Sequence, residues 1–208
     1  MTARRLLDSV LAIPSTALAT NFYLPESDAE GDFRTSADER CDRLLSHVSR
    51  VDSGDLVIVG EAPGWKGARQ SGVPFTSAKT VGLEGTSEGS ATIVHGMLSS
   101  LGIADRTLLW NSFPLHPHMA GSSRTNRTPT GEELYLGLAT LRLAVAGRRI
   151  ICVGNPARTS VGRLLGLKVP GVGDASATST AVAIRHPANG GAPEFRSGLA
   201  TVGDLWDL

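Results

Sequence analysis

Between Leu56 and Gly64 the chain runs Leu-Val-Ile-Val-Gly-Glu-Ala-Pro-Gly, and no other stretch restricts its fold as strongly. Four consecutive aliphatic residues with no polar residue among them suit a strand buried on both faces, as in the interior of a parallel sheet. Gly60 ends the run, and a tight turn carries Glu61, Ala62, Pro63 and Gly64 out over the sheet's carboxyl edge. Open α/β sheets bind their ligands at that edge. Strand followed by glycine turn also describes a generic phosphate or nucleotide loop, so the neighbouring segments must sharpen the reading. The nearest is Gly72-Val73-Pro74-Phe75, which presents an aromatic ring just after a glycine-proline turn.

Three further apolar runs, Leu108 to Pro114, Arg149 to Asn155 and Ala181 to Pro187, are bounded by Gly, Pro or Asn and read as buried strands. Helical patterns lie between them, at Ala37 to Val51, Gly89 to Leu101, Thr130 to Ala146 and Ala157 to Leu165. Leu101-Gly102 is a glycine stop, and Thr130-Gly131-Glu132-Glu133 is an N-cap followed by first-turn acids. Strand and helix alternate, which predicts a three-layer αβα fold around a central four-stranded, mostly parallel sheet. The 208 residues suffice for one such domain, 1–208, and contain no internal repeat. Residues 25–36 and 116–129 are polar loops, and the second is longer than a connector requires, which suggests binding.

Composition excludes several classes. The two cysteines, Cys41 and Cys152, fall in a polar helical stretch and in a strand. They supply no disulfide framework and no metal-ligand spacing, so a reducing cytoplasm is expected. Met1 to Pro14 carries two arginines and a short apolar stretch but no sustained hydrophobic segment, and no run approaches the ~20 residues of a membrane helix. Net charge is zero, yet residues 61–196 hold fourteen Lys/Arg against eight Asp/Glu. Seventeen of the twenty basic residues are arginine, which suits bidentate phosphate contacts, although high genomic GC content produces the same bias.

The first, second and fourth strands end in Glu61, Asn111 and His186, three residues able to do chemistry. In a parallel sheet those ends share one edge, so residues more than a hundred positions apart converge on one small ligand. Each has a plain structural reading as well. Glu61 could accept amides of its own turn, Asn111 could cap the next one, Phe75 could be core, and His186 could be a satisfied strand-end histidine. His116-Pro117-His118 has the look of a metal pair but lacks a third ligand. Arg124 and Arg127 fit solvated loop charges or phosphate contacts. Trp65 is either a lid over the pocket or a packed anchor.

With these pieces in order, Gly60–Gly64, Gly72–Phe75, Asn111 with the later Asn126-Arg127-Thr128-Pro129-Thr130-Gly131-Glu132-Glu133, and Arg185-His186-Pro187, the chain resembles the uracil-DNA glycosylase superfamily, most closely its family 4. The resemblance implies excision of a damaged base that is first rotated out of the duplex. It implies that Gly60, Ala62, Pro63, Gly64, Phe75, Asn111 and Asn189 contact the base or its surroundings. Phe75 would stack, and the Asn111 amide would read uracil's N3–H and O4. His186 would donate to O2 as the base leaves, and Glu61 or its backbone would position water. Arg124, Arg127 and Arg196 would contact DNA. The family 4 iron-sulfur cluster is not expected, since Leu115 stands at a ligand position. Ala62 replaces the aspartate of family 1. Ala188 replaces a phosphate-contacting serine, for which Asn189 or glycine amides would substitute, and Phe195 or Arg196 would be the wedge that fills the emptied stack. A monomer acting on DNA that contains a damaged base is expected. The alternatives are a non-catalytic nucleic-acid or nucleobase binder that retains the fold, and an enzyme acting on a free nucleoside or nucleotide.

Overall fold

A sheet of four parallel strands, ordered β3-β2-β5-β6, organises the computed structural model, which describes residues 3–85 and 87–208. In chain order the elements are α1 (Ala3–Leu11), β1 (Ala19–Thr20), α2 (Ala37–Arg50), β2 (Leu56–Gly60), α3 (Ala68–Ser71), α4 (Gly89–Ser100), β3 (Thr107–Asn111), β4 (His116–Pro117), α5 (Gly131–Leu136), α6 (Leu138–Val145), β5 (Arg149–Val153), α7 (Asn155–Leu165), β6 (Ala181–Ile184) and α8 (Ala192–Trp206). The three-layer αβα expectation holds, with every pairing in the main sheet parallel.

Alternation within the strands builds the layers. Val57, Val59, Leu108, Trp110, Ile150 and Cys152 join a core with α1, α2, α6 and α7. Leu56, Ile58, Leu109, Ile151, Val153 and Val182 face the other way, toward α4 and α8. Because both faces are covered, the strands contain no polar alternation, and each fully buried aliphatic side chain adds roughly 1.5–3 kcal/mol.

Three features depart from the sequence reading. The stretch expected as one helix from Thr130 to Ala146 divides at Gly137, where the Ser112 carbonyl approaches so closely that a Cβ would overlap it. A two-stranded antiparallel ladder pairs Ala19–Thr20 with Pro117–His116, tying the N-terminal segment to the long loop. Helices α1 and α8 had no counterpart among the expected elements; the first two residues of the Met1 to Pro14 segment lie outside the described residues. Strand β3 lies at a sheet edge, and its Leu109 N–H donates to the buried His47 Nε2 (3.1 Å). Among the described residues, no helix is long and apolar enough to cross a membrane.

Candidate active site

The β2–β3 ladder ends by pairing Gly60 with Asn111, and the loop after β6 brings His186 to the same edge. Between them lies a pocket of about 360 Å³ lined by Glu61–Gly64, Phe75, Asn111, residues 126–128 and His186. That volume is at the small end of the range for ligand sites. Strands β2 and β5 are neighbours, yet the connections leaving them run to opposite sides of the sheet, so the pocket sits where the strand order reverses.

Gly60 is required at the floor. A Cβ there would stand 2.5 Å from Phe75 Cζ and 2.7 Å from Asn111 Oδ1. The aromatic ring and the carboxamide therefore meet directly above its Cα. Phe75 adopts a left-handed backbone (φ 54°), an uncommon conformation for a bulky residue that the surrounding structure has to enforce. Asn111 is 5% exposed, and among the described residues no protein group bonds its carboxamide. Its donors and acceptor are left for a ligand.

His186 Nδ1 accepts the Ala188 N–H at 3.1 Å, which fixes the neutral tautomer with the proton on Nε2. Burial, with help from the neighbouring Arg185, holds its pKa below the ordinary histidine value. The imidazole is thus a neutral donor. Glu61 is pushed above the usual carboxylate range by burial, partly offset by a hydrogen bond with the Thr128 side chain.

The loops are fastened from behind. The His116 ring lies between the carbonyls of Pro63 (2.8 Å) and Ser123 (2.9 Å), and the N–H of its neutral form donates to one of them, holding the glycine turn beside the long loop. Asn126 Oδ1 accepts the Trp65 N–H at 2.9 Å. Gly154, at φ 87°, leaves His186 just enough space, since a Cβ there would be 3.4 Å from the His186 Cβ.

Of the residues singled out from sequence, Glu61, Ala62, Pro63, Gly64, Phe75, Asn111, Arg127 and His186 line this one pocket, with Gly60 beneath it. Arg127 is already committed, to Glu133 at 2.7 and 2.8 Å and to the carbonyls of Leu18, His118 and Thr128. Arg124 pairs with Asp32 (3.0 Å) and lines a neighbouring cleft, as does Trp65, which is therefore not a lid on the pocket. Asn189 is exposed at φ 53° and Arg196 is exposed on α8, both outside the pocket lining. Phe195 cannot be a wedge: it is fully buried between α8 and the sheet, because position 195 falls on the helix's core face. Leu115 is buried in the core, while Cys41 and Cys152 lie on α2 and β5, so no cysteine set exists to hold an iron-sulfur cluster. His116 and His118 both spend ring nitrogens on backbone carbonyls, and among the described residues no group of three His, Cys, Asp or Glu is placed to hold a metal.

Sequence reasoning missed Glu88. It occupies the N-cap position of α4, where an acid reads as ordinary helix capping, yet its side chain makes no capping bond. Instead the carboxylate packs against Gly64 and Gly67 and faces the pocket, with its pKa raised by burial. Asn126 and Thr128 were quoted within a motif but given no role. The arrangement as a whole can clamp a planar heterocycle by ring stacking and amide contacts, offer an uncharged N–H to a developing negative charge, and hold water on a carboxylate.

The family model for the uracil DNA glycosylase superfamily matches residues 49–200. Among solved structures, wild-type SMUG2 of Pedobacter heparinus superposes with a TM-score of 0.61 at 14% identity, over 98% of this chain and 98% of that one. At that identity the likeness is one of fold. No curated protein matches the chain.

Proposed function

The chain belongs to the uracil-DNA glycosylase superfamily, and we propose that it hydrolyses the N-glycosidic bond of uracil or another deaminated base in DNA. The observation that carries this reading is the meeting of the Phe75 ring and the unpartnered Asn111 carboxamide over Gly60, in a pocket shared with neutral His186 and desolvated Glu61.

A base reaches these groups only after rotation out of the stack. It lies on Phe75, and Asn111 accepts from N3–H and donates to O4, a pattern that cytosine presents in reverse. As the bond from C1′ to the base nitrogen lengthens, its electron pair passes to the base and builds negative charge on O2. His186 Nε2–H is aimed to stabilise that charge without having to lose its proton. Water held by Glu61 attacks C1′ and gives up a proton to the carboxylate, leaving an abasic sugar and the free base. The protein works as a monomer in the cytoplasm and uses no metal or cofactor.

Uracil-containing oligonucleotides, single- and double-stranded, test the reading directly after alkaline cleavage of the abasic product. Strand scission at the uracil is expected; its absence at high concentrations of folded protein would remove the assignment. Asn111→Asp should lower excision because the amide donor is lost. Since Glu61 must be ionised and His186 neutral, the rate should fall on the acid side as Glu61 takes up its proton, above the pH at which an ordinary glutamate does, while the lowered His186 pKa keeps the donor neutral to below the ordinary histidine value.

A further inference from the structure

Trp65 immediately follows Gly64 on the pocket rim, but its indole faces a separate cleft of about 280 Å³ lined also by Arg34, Lys66, Gln70 and Arg124. The two hollows thus adjoin at the Gly64–Trp65 step, where the Trp65 backbone N–H donates to Asn126 Oδ1. Three cations face the cleft against one carboxylate, Asp32, which is already engaged by Arg69 and Arg124. Neither Arg34 nor Lys66 has a carboxylate partner among the described residues. The Lys66 ammonium rests 4.8 Å from the indole centroid, and Trp65 itself is half-buried.

We propose that this cleft is a subsite for the nucleotide flanking the extruded one, with its unpaired base stacked on Trp65 and its phosphate held by Arg34, Lys66 and Arg124. The proposal rests on the reading of DNA as the partner. An indole edged with cations is the combination by which proteins follow a single strand, because every base has a π-face and every linkage a charge. Lys66 moves from the ring to the phosphate as the base arrives, exchanging one cation contact for another. Arg34 and Lys66, two cations without a carboxylate partner among the described residues, thus lie beside the pocket where a polyanion would pass.

Undamaged single-stranded thymidine oligonucleotides isolate this subsite from the chemistry. Trp110 and Trp206 are 1% and 6% exposed, so Trp65 is the tryptophan that DNA can reach. Titration of the full chain should quench its fluorescence, and Trp65→Leu should abolish the quench while weakening binding about fivefold or more. Lys66→Ala and Arg34→Ala should each lower the salt dependence of binding by about one counterion. A fully paired duplex without damage should bind with little quenching, since its bases are unavailable for stacking. Equal quenching by duplex, or unchanged affinity in Trp65→Leu, would overturn the proposal. Quenching without uracil excision would instead leave the subsite standing and remove only the catalytic reading.

Discussion

Two polar regions of this molecule treat their charges in opposite ways. Beneath the N-terminal loop, Arg40 and Arg69 are both fully buried and sandwich Phe33, each guanidinium 4.0 Å from its ring. Arg40 bonds Asp28, Ser27 and the carbonyls of Phe22 and Thr35, while Arg69 binds Glu30 and Asp32 at 2.6 and 2.8 Å and leaves Nε without a partner. At the carboxyl edge of the sheet, Asn111 is buried and Glu88 half-buried, yet among the described residues neither side chain has a protein group to bond. The first region uses polar contacts to fix a loop in one conformation; the second withholds them, which costs stability in the free protein and leaves the groups ready for a ligand.

Substitutions separate the two. The largest change in stability is expected from Arg69→Met, which leaves Glu30 and Asp32 without their shared cation; denaturant unfolding should show a loss of about 3–5 kcal/mol. Burial pushes both carboxyls up, but hydrogen bonds with Arg69 and its neighbours outweigh it and hold them below the usual carboxylate range. Their contribution is therefore present at neutral pH and lost as pH falls through those lowered values, a slope that Arg69→Met should flatten. If the variant is as stable as the parent, the contrast between the regions collapses.

At the pocket, replacing the groups proposed to act on the base should change rate and not stability. His186→Ala should slow excision by ~10²-fold or more, about 2.7 kcal/mol of transition-state stabilisation, with the melting temperature nearly unchanged. Gly60→Ala should have a comparable effect for a steric reason: the new methyl displaces the Phe75 ring and the Asn111 carboxamide, and weakened substrate binding in steady-state kinetics would register it. The smallest effect and the sharpest contrast is expected from Glu88→Gln. Removing a desolvated charge that has no hydrogen-bond donor should raise stability by roughly 1 kcal/mol in thermal unfolding, the reverse of the result at Arg69.

Much of the architecture could be read along the chain. Leu56–Gly60 forms the strand expected of it, residue for residue, because four apolar residues and a glycine leave few alternatives. Ser36 and Thr130 both form capping boxes with the glutamates three positions on, and in such local bonds sequence and structure coincide. Glu61, Phe75, Asn111 and His186 were found because each sits at a strand end or in a turn, and a parallel sheet gathers such positions on one edge. Glu88, Trp65 and Phe195 could not be placed that way. The first drew no reading, the second was left between a lid and a packed anchor, and the third was offered as a wedge, since short-range patterns do not say which neighbour a side chain will meet.

The order of amino acids by itself settled the layers, the strand direction and the edge at which the candidate groups are gathered, because hydrophobic period and glycine stops act within a few residues. Only the folded chain decided which polar groups would be paired and which left open: that depends on contacts across fifty or more positions, such as His116 with Pro63 or Trp65 with Asn126, whose partners no local pattern specifies.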